Sequence, residues 1–190
     1  MPKLYFRYGT MNSSKTANLL MVAHNYKSQG KKVVLVKPDI DTRTNVNVIA
    51  SRAGMSMFAD VVATPETELI NIHEIYNSDC VLVDECQFLT PKQIEQLREI
   101  SLLVPVICYG LRSDYKTYLF PGSKRLMELA DNIEEVKMIC IECGKKSLIN
   151  AKFSLNERGE KIIVREGSSE PDIGAEEKYQ PMCWSCFCNN

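Results

Sequence analysis

The chain has 190 residues, 45% hydrophobic and 25% charged, a soluble globular balance with room for one core and a small appended module. Its formal net charge is −1, so no basic excess exists to hold a polyanion, and a general nucleic-acid-binding role is disfavoured. No window approaches the roughly 18 apolar residues of a membrane helix, which argues against membrane contact.

The first residues, Met1-Pro2-Lys3-Leu4-Tyr5-Phe6-Arg7, enter a strand-like pattern at once and lack the apolar run of a secretory leader. A cytoplasmic location is expected. In that reducing compartment the eight cysteines read as metal ligands or buried thiols rather than disulfides.

Lys3–Tyr8 is a short aromatic-rich strand. Gly9-Thr10-Met11-Asn12-Ser13-Ser14-Lys15-Thr16 follows and fits the phosphate-loop pattern G-x-x-x-x-G-K-[ST], except that Ser14 stands at the second glycine. Ala17–Lys27 carries Leu19, Leu20, Val22, Ala23 and Tyr26 at helical spacing, with Gly30 at its stop. Lys32–Val36 is a β-branched buried strand. Strand, loop, helix and strand in this order is the context a phosphate loop requires.

Lys37–Ala53 is polar and reads as a loop beside a site; it contains Asp41 and Arg43. Gly54–Ile75 is ambiguous, with a helix suggested after Pro65 by Leu69, Ile72, His73 and Ile75. Cys80–Val83 is a second buried strand that ends at Asp84-Glu85. Thr90-Pro91 is a helix start, and the helix runs to about Ser101. Val104–Tyr109 is a third apolar strand, Ser123–Ala130 a helix, and Glu135–Ile139 a strand leading into the cysteines. The alternation predicts an α/β domain over 1–139 with a mainly parallel sheet covered on both faces. After Cys140 the pattern changes. Ser147–Asn156 and Lys161–Glu166 read as a hairpin turned at Arg158-Gly159, and Gly167–Lys178 as a polar, aperiodic loop. Residues 140–190 are therefore expected to form a separate small domain.

Three constellations carry chemistry. In the loop, backbone N–H groups and a helix N-terminus make a concave anion site; Lys15 would reach the β- and γ-phosphates and Thr16 would serve Mg²⁺. The apolar strand ending in Asp84 places a carboxylate for the same Mg²⁺, and Glu85, one residue on, faces elsewhere and is available as a base. Cys140-x-x-Cys143 and Cys183-x-x-Cys186 flank the hairpin as the knuckles of a zinc ribbon. Four thiolates close the coordination sphere, so the zinc would be structural. Neither pair is expected at a strand-to-helix turn, where redox C-x-x-C pairs belong. Phe88, Tyr115, Tyr118, Phe120 and Tyr179 fall near the presumed strand-end mouth, where flat side chains could sandwich a base.

In this order the motifs resemble the cytosolic, zinc-containing thymidine kinases, a family with a RecA-like P-loop core. The resemblance covers nearly the whole chain. It rests on Gly9–Thr16, Asp41-Thr42-Arg43, Asp84-Glu85-Cys86-Gln87-Phe88, Tyr109-Gly110-Leu111-Arg112-Ser113-Asp114-Tyr115, Ile173-Gly174, and Lys178-Tyr179 before Cys183. Ser14 departs from the pattern, and Tyr115 stands where many members have phenylalanine.

The resemblance implies a RecA-like core followed by a zinc ribbon with a substrate-covering lasso loop. The implied reaction moves the γ-phosphate of ATP to the 5′-hydroxyl of thymidine, or of deoxyuridine. Glu85 is then the catalytic base. Gly9 to Thr16, Asp84, Gln87, Asp41 and Arg43 face the nucleotide and its Mg²⁺. Met11, Phe88, Leu111, Tyr115, Phe120, Ile173, Gly174 and Tyr179 hold the nucleoside, and one structural Zn²⁺ anchors the lasso. A homotetramer and feedback inhibition by dTTP are also implied. The alternatives are a P-loop ATPase whose ribbon grips DNA, disfavoured by the short chain and neutral charge, and a non-catalytic nucleotide-binding module, disfavoured by Glu85.

Overall fold

The computed structural model describes residues 3–39, 47–167 and 178–189. β1 (Leu4–Tyr8) leads to α1 (Lys15–Ser28) and β2 (Val33–Pro38). Then come β3 (Val48–Ala50), β4 (Ser56–Phe58), β5 (Val61–Ala63) and the one-turn α2 (His73–Tyr76). β6 (Cys80–Val83), α3 (Pro91–Ile100), β7 (Val106–Gly110), α4 (Pro121–Leu129) and β8 (Asn132–Glu135) follow. The last described elements are β9 (Ile149–Leu155), β10 (Lys161–Val164), β11 (Tyr179–Met182) and α5 (Trp184–Asn189).

Six strands make one sheet in the order β5-β2-β6-β7-β1-β8, and every described pairing within it is parallel. Parallel neighbours need crossover connections, and the crossover helices cover the faces. Side chains alternate accordingly. In β6, Cys80 and Leu82 pack with Leu19, Leu20 and Ala23 of α1. Val81 and Val83 pack on the other face with Ile94 and Leu97 of α3 and Leu126 of α4. Because all six strands run the same way, the loops after β1, β2, β6 and β7 leave from one edge.

A second, antiparallel sheet has the order β10-β9-β11. Its own small core contains Ile149, Ala151, Met182 and Phe187, with Cys140 and Cys183 among them. The β9–β10 turn is set by Asn156, whose Oδ1 accepts the N–H of Arg158 and of Glu160, both at 2.9 Å. The hairpin expected around Arg158-Gly159 is thus present, with β11 added as a third strand.

Several elements differ from expectation. The stretch read as a polar loop contains β3, which pairs with β4 as a hairpin, and β5 adds an edge strand beside β2. Each has three residues, too few for a period to register. The helix suggested after Pro65 is a 3₁₀ turn at Leu69–Asn71 followed by α2. Leu69 and Ile75 are fully buried, and the Leu69 N–H goes to Gln96 Oε1 at 2.8 Å instead of to a helical carbonyl. The strand expected at Glu135–Ile139 is β8, three residues earlier. It stops because its partner β1 ends at Tyr8, whose carbonyl accepts the last bond from Val136 N–H at 2.7 Å. No helix among the described residues is long and apolar enough to cross a membrane.

The Thr90-Pro91 start of α3 is a full capping box. Thr90 Oγ1 accepts from Gln93 N–H at 3.2 Å, and Gln93 Oε1 accepts from Thr90 N–H at 3.0 Å. Thr90→Ala is expected to lower the unfolding free energy by about 1 kcal/mol. The measurement is a urea titration, with a lower midpoint at unchanged slope; an unmoved midpoint would mean that packing alone holds the start of α3.

Candidate active site

The loop after β1 turns tightly between packed neighbours. A Cβ on Gly9 would lie 2.4 Å from the Val136 carbonyl oxygen and 2.5 Å from Ser13 Oγ, so glycine is required there for space. Asn12 and Ser14 sit at φ 65° and 63°, in the left-handed region. This is why the second position of the pattern is usually glycine, and why serine there carries a cost of about 1 kcal/mol. Ser14 precedes the first turn of α1, and its carbonyl accepts the Asn18 N–H at 2.9 Å. The loop conformation is therefore formed with serine in place.

Lys15 is buried, and its Nζ donates to the Thr10 carbonyl at 2.8 Å and to Ser13 Oγ at 3.3 Å. Thr16 Oγ1 donates to the Asp84 carboxylate, 3.1 and 3.3 Å from its two oxygens. A hydroxyl facing a carboxylate is a hard-oxygen donor set of the kind Mg²⁺ accepts. The phosphate loop and the acid at the end of β6 are thus joined directly.

Glu85 adopts φ 49° and ψ 38°, a left-handed conformation that is uncommon for a side chain of its size. Gln87 Nε2 donates to Glu85 Oε2 at 2.6 Å, and Gln87 Oε1 accepts the Leu111 N–H at 2.9 Å. Gln87 is buried, and it links the acid after β6 to the loop after β7. There is no room beside it: a Cβ on Gly110 would lie 2.5 Å from Gln87 Oε1 and 2.6 Å from Cys86 Sγ. Burial pushes the Cys86 thiol well up, so it is a neutral packing group under Glu85 and not a nucleophile.

Around this edge stand the aromatic residues. Phe88 and Phe120 meet edge to face at 5.7 Å and 74°. Tyr115 is buried; its ring lies 6.4 Å from that of Tyr179, and Lys152 Nζ sits over both rings at 5.1 and 5.8 Å. Tyr115 Oη is 3.5 Å from the Glu166 carbonyl, and Lys116 Nζ donates to the Gly167 carbonyl at 3.0 Å. Tyr115 therefore stands between Glu166 and Tyr179. Tyr118 is 71% exposed and walls nothing. Asp41, Arg43, Ile173 and Gly174 lie outside the described residues.

The ligand atoms of Cys140, Cys143, Cys183 and Cys186 all lie within 4.8 Å of one another. Cys143 Sγ is 3.6 Å from Cys183 Sγ, close to the edge of about 3.8 Å that tetrahedral thiolates at zinc bond lengths require. One detail departs from expectation: Cys183 does stand between a strand and a helix, β11 and α5. Convergence of all four sulfurs nonetheless fits a zinc site and not an isolated redox pair. Electrostatics agree. Burial pushes the Cys140 thiol up, but backbone N–H groups of Cys183, Cys143 and Glu142 outweigh it and bring it down to about 6. The sulfurs of Cys143 and Cys183 push Cys186 up to about 12. Thiolates this close repel one another, and a cation among them would relieve that repulsion. Cys188 is exposed and outside the cluster.

Three further contacts were not anticipated. Ser147 Oγ lies 2.8 Å from Thr10 Oγ1, Asn150 Oδ1 accepts the Met11 N–H at 2.7 Å, and Arg52 Nη1 donates to Asn12 Oδ1. The first two span well over a hundred residues of chain, beyond any local motif. The one hint was a polar Asn150 between the apolar Ile149 and Ala151.

The protein family described as thymidine kinase matches residues 2–187 of this chain. A thymidine kinase of Chromobacterium violaceum is 41% identical over 189 residues, covering 98% of this chain and 98% of its own. A thymidine kinase of Streptococcus agalactiae is 41% identical over 192 residues, covering 100% and 98% respectively. Among solved structures, a DNA replication initiation factor has a TM-score of 0.45 at 19% identity, covering 71% of this chain and 40% of its own.

Protons and metal compete for the cysteine cluster. With Cys140 lowered to about 6, its thiolate is available above that pH and is lost as pH falls through it. Zinc-loaded protein is expected to retain about one equivalent at neutral pH and to release it to a chromogenic chelator on acidification, as protons compete for the thiolates. Complete release to the chelator at neutral pH would refute the assignment.

Proposed function

The chain belongs to the thymidine kinase family, and from that premise we propose that it transfers the γ-phosphate of ATP to the 5′-hydroxyl of thymidine, with deoxyuridine as a second acceptor. The product is thymidine 5′-monophosphate, which serves deoxynucleotide salvage. The observation that carries the residue assignments is the meeting of phosphate loop, Asp84 and Glu85 at one edge of a parallel sheet.

In this reading the loop N–H groups and Lys15 hold the donor phosphates, which draw Lys15 away from its own loop carbonyl. Asp41 and Arg43 face the same nucleotide. Thr16 and Asp84 would hold Mg²⁺, which would supply positive charge against the charge that develops on the phosphates. Met11, Phe88, Leu111, Tyr115 and Phe120 wall the thymine and sugar. Glu85, steadied by Gln87, takes the proton of the 5′-hydroxyl as that oxygen attacks the γ-phosphorus. The bond from phosphorus to the β,γ-bridging oxygen breaks, and ADP leaves.

Ile173 and Gly174 belong to the segment that closes over the nucleoside, and Tyr179 stands at its end beside Tyr115. Closure excludes water and limits wasteful hydrolysis of ATP. The four cysteines hold Zn²⁺ as a structural ion, fixing the sheet from which that segment leaves and returns. We divide the chain into a kinase core, 1–139, and a ribbon with its closing loop, 140–190. A cytoplasmic homotetramer inhibited by dTTP completes the proposal.

Glu85→Gln keeps the size of the side chain and removes its basicity. It is expected to lower kcat for thymidine phosphorylation by about a hundredfold or more while Mg·ATP binding changes less than about threefold. Equal losses in turnover and in ATP affinity would show that Glu85 serves the nucleotide and not the proton.

A further inference from the structure

Asn150 has no role in the reaction as described, yet it is 4% exposed and joins two parts of the site. It lies on β9, the central strand of the cysteine-anchored sheet. Its Oδ1 accepts the backbone N–H of Met11, inside the phosphate loop, at 2.7 Å. Its Nδ2 donates to the backbone carbonyl of Ser113 at 3.4 Å, in the loop after β7 between Leu111 and Tyr115. Both partners are main-chain groups of fixed polarity, so the amide has a single orientation that satisfies them. A carboxylate in its place would have no donor for Ser113, and an aliphatic side chain would leave both groups unmet in a buried setting. Ser147 adds a second tie of narrower reach. It is 1% exposed, its hydroxyl meets Thr10 Oγ1 at 2.8 Å, and it also donates to the Met138 carbonyl at 2.9 Å.

We propose that Asn150 is a positioning residue that couples the donor and acceptor halves of the site, holding the phosphate loop and the nucleoside-side loop in one register from the zinc-anchored sheet. This rests on the thymidine kinase reading above. If one amide holds both loops, a nucleoside that orders the loop after β7 also orders the phosphate loop through Met11, and each ligand tightens the other. Of these two loops Ser147 touches only the phosphate loop, and it belongs to the donor side.

The test is calorimetric titration of the zinc-loaded full chain with the Mg²⁺ complex of a non-hydrolysable β,γ-imido analogue of ATP, with and without saturating thymidine. The wild-type protein is expected to bind the analogue at least fivefold more tightly when thymidine is present. In Asn150→Ala that ratio is expected to fall to near one, with both individual affinities weakened and zinc content unchanged. Ser147→Ala, the milder change, is expected to weaken the analogue severalfold, leave thymidine affinity unchanged and keep the ratio. A purely structural role for Asn150 would lower the melting temperature while leaving the ratio intact, and that result overturns the proposal. So does a wild-type ratio of one. Should Asn150→Ala not fold, Ser147→Ala decides: equal loss of both ligands would contradict the division of the two contacts. Wild-type protein that neither binds nor phosphorylates thymidine would instead refute the functional reading itself.

Discussion

Six strands running the same way deliver every strand-end loop to one edge of the sheet, and the rest of the molecule depends on that constraint. The phosphate loop after β1, the two acids after β6 and the aromatic stretch after β7 are far apart in the chain. They meet because β6, β7 and β1 are consecutive in the sheet. The hydrogen bond from Thr16 to Asp84 and the Gln87 bridge from Glu85 to Leu111 are the joints at that edge. Each joins loops that the sheet has already brought within reach.

Backbone strain collects at the same edge. The non-glycine residues with positive φ in the described chain are Asn12, Ser14, Glu85 and Thr117, in the loops after β1, β6 and β7. Each conformation costs about 1 kcal/mol, so each needs support. Asn12 receives Arg52, the Ser14 carbonyl caps onto Asn18, and Glu85 is held by Gln87. The serine at the usual glycine position is thus one of several strained positions that the packed edge tolerates. The loop forms with serine in that place.

Much of this was legible in the sequence because it is local. The phosphate loop, the apolar run ending in Asp84-Glu85, the Thr90-Pro91 start and the paired C-x-x-C knuckles each fit within a few residues whose chemistry fixes their geometry. Three-residue strands such as β5 could not be read, since they owe their existence to pairing with β2 rather than to their own pattern. The end of β8 was also hidden, because it is set by where β1 stops. Among functional groups, the same holds for Ser147 and Asn150. Their contacts to the loop after β1 reach a hydroxyl and a main-chain N–H in the first tenth of the chain, and no spacing rule links them.

The sheet that carries the cysteines is consequently tied to the strand-end loops of the large sheet. Its β9 strand touches the loop after β1 and the loop after β7 through Asn150, so the cysteine cluster and those two loops share one framework. The central claim is that this framework brings ATP and thymidine together for direct transfer. It is tested most directly by following the label of γ-phosphate-labelled ATP with purified, zinc-loaded protein. The account predicts that thymidine takes the label into its 5′-monophosphate, one for each ADP formed. Label released only as inorganic phosphate, at a rate raised by DNA and indifferent to thymidine, would contradict it.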